Sequence, residues 1–252
     1  MLQDDEQLFD LQCNNLKIIQ KKTGFKFGTD SVLVSNYAKV KKGGIIVDFG
    51  TGSGIIALLM SAKTAAEKII GIEIQTEMAK MANRSVDMNQ LSSKVSIIEG
   101  DIKDAASIFG KSSVDAVVTN PPYKEFGTGL KNQDDAETIS RHEVTCKLQD
   151  IIKSAAEILK PNGYFTMIHR PSRIADIIEN MRIYKIEPKH IRFVHPYPGK
   201  KPNMVLIRGN YLGGKFLEIG EPLYIRDEKG DYTKEILEMY ARNFSCDGGL
   251  YE

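Results

Sequence analysis

The sequence predicts an α/β protein with a mostly parallel sheet and helices on both of its faces. Two observations predict it. Apolar runs of strand length alternate with stretches of helical spacing through most of the chain, and a glycine-rich turn separates the first of these runs from its helix. A chain of 252 residues is long enough for one enzyme-sized core.

The elements follow in order. "GGIIVDFG" (43–50) reads as the first strand of the alternating pattern, "GIIALLMSAK" (54–63) as its helix and "KIIGIEI" (68–74) as the second strand. "TEMAKMANRSVDMNQ" (76–90) has helical spacing, with Thr76 as the expected N-cap and Met78, Met81, Ala82 and Val86 on one side as core. Strands "KVSIIEGD" (94–101) and "VDAVVTN" (114–120) come next, then a helix over 148–160 stopped by Pro161 and Gly163, and the strand "GYFTMIH" (163–169). A helix over 174–185 and strands near 190–194 and 203–208 are expected to complete the same sheet. "PLYIRD" suggests a short strand and "YTKEILEMYARNF" a last helix, ahead of a frayed tail. Residues 1–28 read as an N-terminal extension and 29–252 as one domain.

Composition narrows the class. With 42% hydrophobic and 27% charged residues and no apolar run near the roughly 18 residues of a membrane span, membrane residence is not expected. The acidic start "MLQDDEQLFD" is unlike a secretory or mitochondrial leader, and Cys13, Cys146 and Cys246 are far apart, without a CxxC pair. These features predict a cytoplasmic protein with reduced thiols, and His142, His169, His190 and His195 lack metal-ligand spacing. The net charge of +1 conceals two basic segments. Seven lysines face Asp30 alone between Asn15 and Lys42, and seven basic residues face Glu187 alone between Arg182 and Arg208. If folding unites them, they offer a polyanion-binding face; the plainer alternative is lysines on solvated surfaces.

Asp48-Phe49-Gly50-Thr51-Gly52-Ser53-Gly54 lies between the first strand and its helix, where glycines permit a tight turn and close approach of a ligand to the backbone. G-T-G-S-G is neither the dinucleotide G-x-G-x-x-G nor a P-loop, which would add Lys-Ser/Thr. Asp48 would repel a pyrophosphate but can accept from an ammonium group. Glu73, ending the second strand, can take both hydroxyls of a ribose, and Asp101, ending the third, can meet an adenine edge.

With "VDFGTGSG", "GIEI", "EGD" and "NPPY" in this order, the chain from about 24 to 208 resembles the class I S-adenosylmethionine-dependent methyltransferases, which have a Rossmann-like fold. The resemblance implies S-adenosyl-L-methionine as cofactor. It places Asp48, Gly50, Thr51, Gly52 and Gly54 around its methionine and ribose, Glu73 on the ribose, Asp101 and Ile102 by the adenine, and Asn120 beside the methyl group. Asn120, Pro121 and Tyr123 are the candidate catalytic residues. An exocyclic nitrogen whose lone pair is delocalised is a poor nucleophile; an Asn oxygen and a backbone carbonyl accepting its two hydrogens orient it and favour the charge developing during attack. Pro121 stiffens the turn, and Tyr123 can stack on a flat substrate.

The NPPY motif is shared by nucleic-acid adenine-N6 methyltransferases and by enzymes that methylate a glutamine of peptide release factors. Only about 45 residues, partly basic, precede the glycine loop, which favours nucleic acid. "LKIIQKKTGFKFGTDSVLVSNYA" (16–38), "ISRHE" (139–143) and "HRPSRIADIIENMR" (169–182) resemble the bacterial tRNA adenine-N6 methyltransferases that act beside the anticodon of a valine tRNA. That resemblance implies Phe27, Thr29 and Asp30 near the methionine end of the cofactor, although Phe25 and Phe27 as core and Asp30 as a helix cap fit equally well. The partner is then tRNA, with no obligate protein partner implied. Arg141, Arg170, Arg173, Lys200 and Lys201 are the candidate phosphate contacts, Arg173 with Asp176 or Glu179 as rival ion-pair partners. The polar stretch 125–143 is expected to be a loop that orders over substrate. A methyltransferase of ribosomal RNA, DNA or protein glutamine, and an RNA-binding module without turnover, are the alternatives.

Overall fold

A computed structural model of the chain describes residues 2–23, 28–123 and 147–241. Strands β1 (Glu6–Asp10) and β2 (Lys17–Lys21) form an antiparallel hairpin, followed by α1 (Thr29–Tyr37). The alternation then runs β3 (Ile45–Phe49), α2 (Ile55–Lys63), β4 (Lys68–Glu73), α3 (Thr76–Met88), β5 (Val95–Glu99), α4 (Ala105–Phe109) and β6 (Val114–Thr119). Beyond residue 146 come α5 (Leu148–Ile158), β7 (Leu159–His169), α6 (Ile174–Ile183), β8 (Ile186–His195) and β9 (Met204–Tyr211). Two-residue strands β10 (Glu218–Ile219) and β11 (Leu223–Tyr224) and helix α7 (Lys234–Ala241) complete the described chain.

One sheet has the order β10-β8-β9-β7-β6-β3-β4-β5, with β11 also on β8. From β5 to β7 every neighbour is parallel, and β9 runs antiparallel between β7 and β8. Alternate residues feed opposite faces. Ile46, Ala116, Val118, Ile168 and Leu206 join α1, α2, α3 and α7, while Val47, Phe49, Val117, Phe165 and Ile207 join α4, α5 and α6. Phe49 and Phe165 are essentially inaccessible, each contributing about 1.5–3 kcal/mol by burial. The chain moves from β3 to β4 and β5 on one side and later to β6 and β7 on the other. The carboxyl ends of β3 and β6 therefore diverge into a crevice, the place where open α/β sheets take ligands.

Local differences from the sequence reading have physical causes. Thr76 does not cap α3: Gln75 holds the cap position without a side-chain bond, and the Thr76 hydroxyl donates to Glu99 at 2.6 Å. The helix expected to reach residue 160 ends at Ile158, and β7 begins at once with Leu159 opposite Val114. The register shift before Ala116 pairs with Tyr164 accommodates Pro161, and Asn162 adopts φ 61°. Asp30 lies in the first turn of α1 rather than at its cap, which is Gly28. The hairpin is a feature the sequence reading left as an extension. Ile18 and Ile19 of β2 are buried, the Ile19 amide donates to Ser85 Oγ at 3.0 Å, and Arg84 holds Glu6 bidentately at 2.5 and 2.8 Å. The Arg84 guanidinium lowers the Glu6 carboxyl to about 2. No helix among the described residues is long and apolar enough to cross a membrane.

Candidate active site

The crevice has one wall after β3 and one after β6. In the first, Gly50, Gly52 and Gly54 adopt φ of +69°, +56° and +86°, a region that side chains rarely occupy. The Gly50 and Thr51 amides donate to the Ile72 carbonyl at 3.0 and 3.1 Å, stitching the turn to the end of β4. Glu73, only 3% exposed, accepts from the Gly52 amide through Oε2 and from the Gln75 amide through Oε1, both at 2.9 Å. Oε1 also accepts from Gln75 Nε2 at 3.4 Å, while Oε2 keeps a second lone pair for a hydroxyl. Beneath the loop Asp48 is fully buried, and its Oδ2 accepts from Thr51 Oγ1 at 2.5 Å. Burial pushes its carboxyl up to about 7, against the Thr51 hydrogen bond, and the nearby Glu73 charge adds to the rise. Thr51 fits because Gly71 stands behind it: a Cβ at 71 would lie 2.7 Å from Thr51 Oγ1. The hairpin reaches the same loop, with Gln20 Nε2 donating to Ser53 Oγ at 3.2 Å.

These residues fit the cofactor that the sequence implies. Among the described residues Asp48 Oδ1 is a buried oxygen without a hydrogen-bond partner, and a Cβ at Gly50 would meet nothing within 4 Å. Asp101 follows β5 and caps a short 3-10 turn, accepting from the Lys103 amide at 2.9 Å; Ile102, half-buried, starts that turn.

On the second wall Asn120, Pro121 and Tyr123 leave the end of β6. The Tyr123 hydroxyl lies 2.6 Å from Asn120 Oδ1 and 3.0 Å from Asp30 Oδ2, so the turn is joined to the first turn of α1. Burial, then the Asp30 charge, raises the Tyr123 phenol far above its ordinary value, and it stays neutral. His169, at the end of β7, meets the Tyr123 ring edge-on at 5.5 Å, and the Arg170 guanidinium lies 4.8 Å above that ring.

Of the expected site residues, the fold brings Asp48, Gly50, Thr51, Gly52, Gly54 and Glu73 together on one wall, and Asp30, Asn120, Pro121, Tyr123 and Arg170 on the other. Thr29 opens α1, its hydroxyl 3.5 Å from Tyr240 Oη. Arg170 also donates to the Asn203 carbonyl at 3.1 Å, at the end of the connection that carries exposed Lys200 and Lys201. Lys200 stacks over Tyr197 at 5.6 Å. Arg173 pairs with Asp176 at 2.6 Å, the rival partner foreseen for it. Phe27, Arg141 and the 125–143 loop lie outside the described residues, as do Phe25, Cys146, Cys246 and the C-terminal tail. The sequence reading missed His169, Gln20 and Gly71 as site residues. Only His169 carried a signal, its position at the end of the strand beside β6.

Residues 19–183 match the family model of the methyltransferase small domain. The chain belongs to this family. Among its relatives, the tRNA1(Val) (adenine(37)-N6)-methyltransferase of Porphyromonas gingivalis is 31% identical over 195 residues, 75% of this chain and 76% of that protein. The protein of the same description from Bacteroides fragilis is 26% identical and aligns with 90% of this chain and 94% of its own length. Among solved structures, a predicted O-methyltransferase from Agrobacterium tumefaciens superposes with a TM-score of 0.68 at 21% identity, covering 85% of this chain and 98% of that one. At that identity the structural likeness speaks for the fold.

Proposed function

We propose that this methyltransferase transfers a methyl group from S-adenosylmethionine to the exocyclic N6 of an adenine in tRNA, the anticodon-loop adenine of a valine tRNA. The observation that carries this reading is the Asn120–Tyr123 turn, standing across the crevice from the glycine loop in a chain whose relatives bear that activity in their names. S-adenosylmethionine supplies an electrophilic methyl on a sulfonium. The Glu73 carboxylate accepts from the ribose, the open face of the glycine loop and Asp48 hold the methionine end, and Asp101 with Ile102 lies by the adenine. Asn120 Oδ1 and the Pro121 carbonyl accept the two N6 hydrogens of the target base, turning the nitrogen lone pair toward the methyl group and favouring the positive charge that develops there; the electrons of the broken S–C bond leave with S-adenosylhomocysteine, and one N6 proton passes to solvent. The Tyr123 ring stacks on the base.

An anticodon-loop adenine reaches such a pocket at little unstacking cost. Arg170, Lys200 and Lys201 contact the phosphates of the loop, together with Arg141, and Arg173 does so in competition with Asp176. The protein works in the cytoplasm, without an obligate protein partner, and residues 29–252 form the methyltransferase domain, with strand β2 of the 1–28 extension packed on α3.

The test is transfer of labelled methyl to unmodified bulk tRNA, wild type beside Asn120→Ala, with nucleoside analysis. Label in N6-methyladenosine that falls about 100-fold or more in the variant is expected. Label appearing in protein, or in no tRNA nucleoside while the cofactor still binds, would overturn the tRNA reading.

A further inference from the structure

The Tyr123 hydroxyl has one proton and two acceptors. Asn120 Oδ1 at 2.6 Å is the oxygen that the proposed reaction needs for the substrate amine, and Asp30 Oδ2 lies at 3.0 Å on the other side. If the proton stays on Asn120, the phenol occupies the acceptor that should receive the N6 hydrogen. A carboxylate is the stronger acceptor, and a hydrogen bond to it is roughly twice as strong as one between neutral groups. With the proton drawn to Asp30, the phenol oxygen turns its lone pairs to Asn120. The Asn120 amide, nearly symmetric in shape, can then donate Nδ2–H to that oxygen and face its carbonyl to the substrate.

A second observation is how the carboxylate is held. Asp30 Oδ1 accepts from the Ser31 amide at 3.0 Å, fixing the side chain back over the start of α1. That position exists because residue 28 has no side chain: a Cβ on Gly28 would stand 2.7 Å from Asp30 Oδ1. The Gly28 backbone itself is extended, with φ −104°, so no unusual backbone angle calls for glycine there. What glycine provides is the room the carboxylate fills.

We infer that Asp30 is a positioning residue: through the Tyr123 hydroxyl it frees and orients the Asn120 carbonyl for the substrate amine. This rests on the proposed adenine-N6 reaction, and it assigns Asp30 a place different from the cofactor contact expected from sequence. No proton is consumed in the arrangement. The chain of donors runs from substrate N6 to Asn120, from Asn120 to Tyr123 and from Tyr123 to Asp30, each link polarised by the carboxylate at its end.

The experiment is a double-mutant cycle with kinetics and cofactor titration. Asp30→Asn keeps the shape but removes the charge, and kcat is expected to fall about tenfold, the difference between a charge-assisted and a neutral hydrogen bond. The KM for tRNA and the Kd for S-adenosylmethionine should stay within about twofold of wild type. Gly28→Ala, which displaces only the end of a side chain, should reproduce that loss. Tyr123→Phe keeps the stacking ring and removes the competing hydroxyl, so Asp30→Asn should cost nothing further in its presence. A weakened cofactor Kd in Asp30→Asn, or additive losses in the double variant, would overturn the assignment. If the wild-type protein methylates no tRNA adenine, it is the proposed reaction that fails. The Asn120 side-chain amide signals in a 15N spectrum, identified by their loss in Asn120→Ala, then decide: they should move in Asp30→Asn and in Tyr123→Phe, and signals that stay in place would remove Asp30 from the relay.

Discussion

Thr51 and Asn120 stand on facing turns at the ends of adjacent strands, yet their surroundings differ. Thr51 is 3% exposed, bonded to a fully buried aspartate, in a turn whose amides are taken by the Ile72 carbonyl and the Glu73 carboxylate. Asn120 is half-buried, and its fixed contact is a phenol that has a second acceptor to choose. The wall proposed for the cofactor is thus held largely by main-chain groups with a single set of partners. The wall proposed for the substrate is held by side chains whose hydrogen bonds can be redistributed. A cofactor that is the same in every turnover suits the first arrangement, and a base that must enter and leave suits the second.

Removing Glu73 should break the first wall most severely. Glu73→Ala takes the acceptor from the Gly52 and Gln75 amides and the proposed partner from the ribose. Hydrogen bonds to a charged group are worth about 1.5–3 kcal/mol each, so the Kd for S-adenosylmethionine should rise about 100-fold by calorimetry. A Kd within threefold of wild type would mean that the loop holds its shape without the carboxylate, and the contrast between the walls would lose its basis.

The buried Asp48 sharpens the same contrast through pH. Its carboxyl is raised from 3.8 to about 7, so between those values the folded protein binds more protons than the unfolded chain. The stability from keeping Asp48 neutral is complete below pH 3.8 and is lost as pH rises through 7. The slope contributed is at most about 1.4 kcal/mol per pH unit. Urea titrations from pH 4 to 8 should therefore show wild type losing stability with rising pH relative to Asp48→Asn, which cannot ionise. Parallel curves for the two proteins would show that Asp48 ionises freely under the loop.

How much of this was legible in the sequence follows the same division. The alternating strands and the glycine turn are periodic or local signals, and they were read from residues 43–120 nearly to their ends, while α4, only five residues long, was not. The hairpin was not, because "EQLFD" and "KIIQK" are short and their burial depends on α3, more than 60 residues away. Glu73 and Asp48 were legible as strand-end acids, whereas Gly71 looked like any strand glycine until Thr51 was seen filling its place. Asp30 was noticed, but its tie to Tyr123 spans 93 residues and joins a helix to a strand end that no local pattern connects. Arg173 shows the converse limit. Its neighbour Asp176 was visible as a rival, and the sequence left open which partner it takes.

The smallest expected effect lies at the rim of the substrate wall. Arg170 stacks on Tyr123 and donates to Asn203, while Lys200 is exposed over Tyr197 on the connection that ends there. If both meet phosphates of the anticodon loop, each contributes a counterion-release increment without reading bases. Lys200→Ala should lower the log–log slope of tRNA affinity against salt by roughly 0.7–0.9 and leave the cofactor Kd unchanged. Arg170→Ala should do the same and in addition lower kcat, because the guanidinium packs on the ring that the proposed base must stack against. Filter binding over a salt series separates the two. An Arg170→Ala variant with a normal slope and a reduced kcat would place this residue in the substrate wall alone, and the phosphate-binding rim would then begin at Lys200.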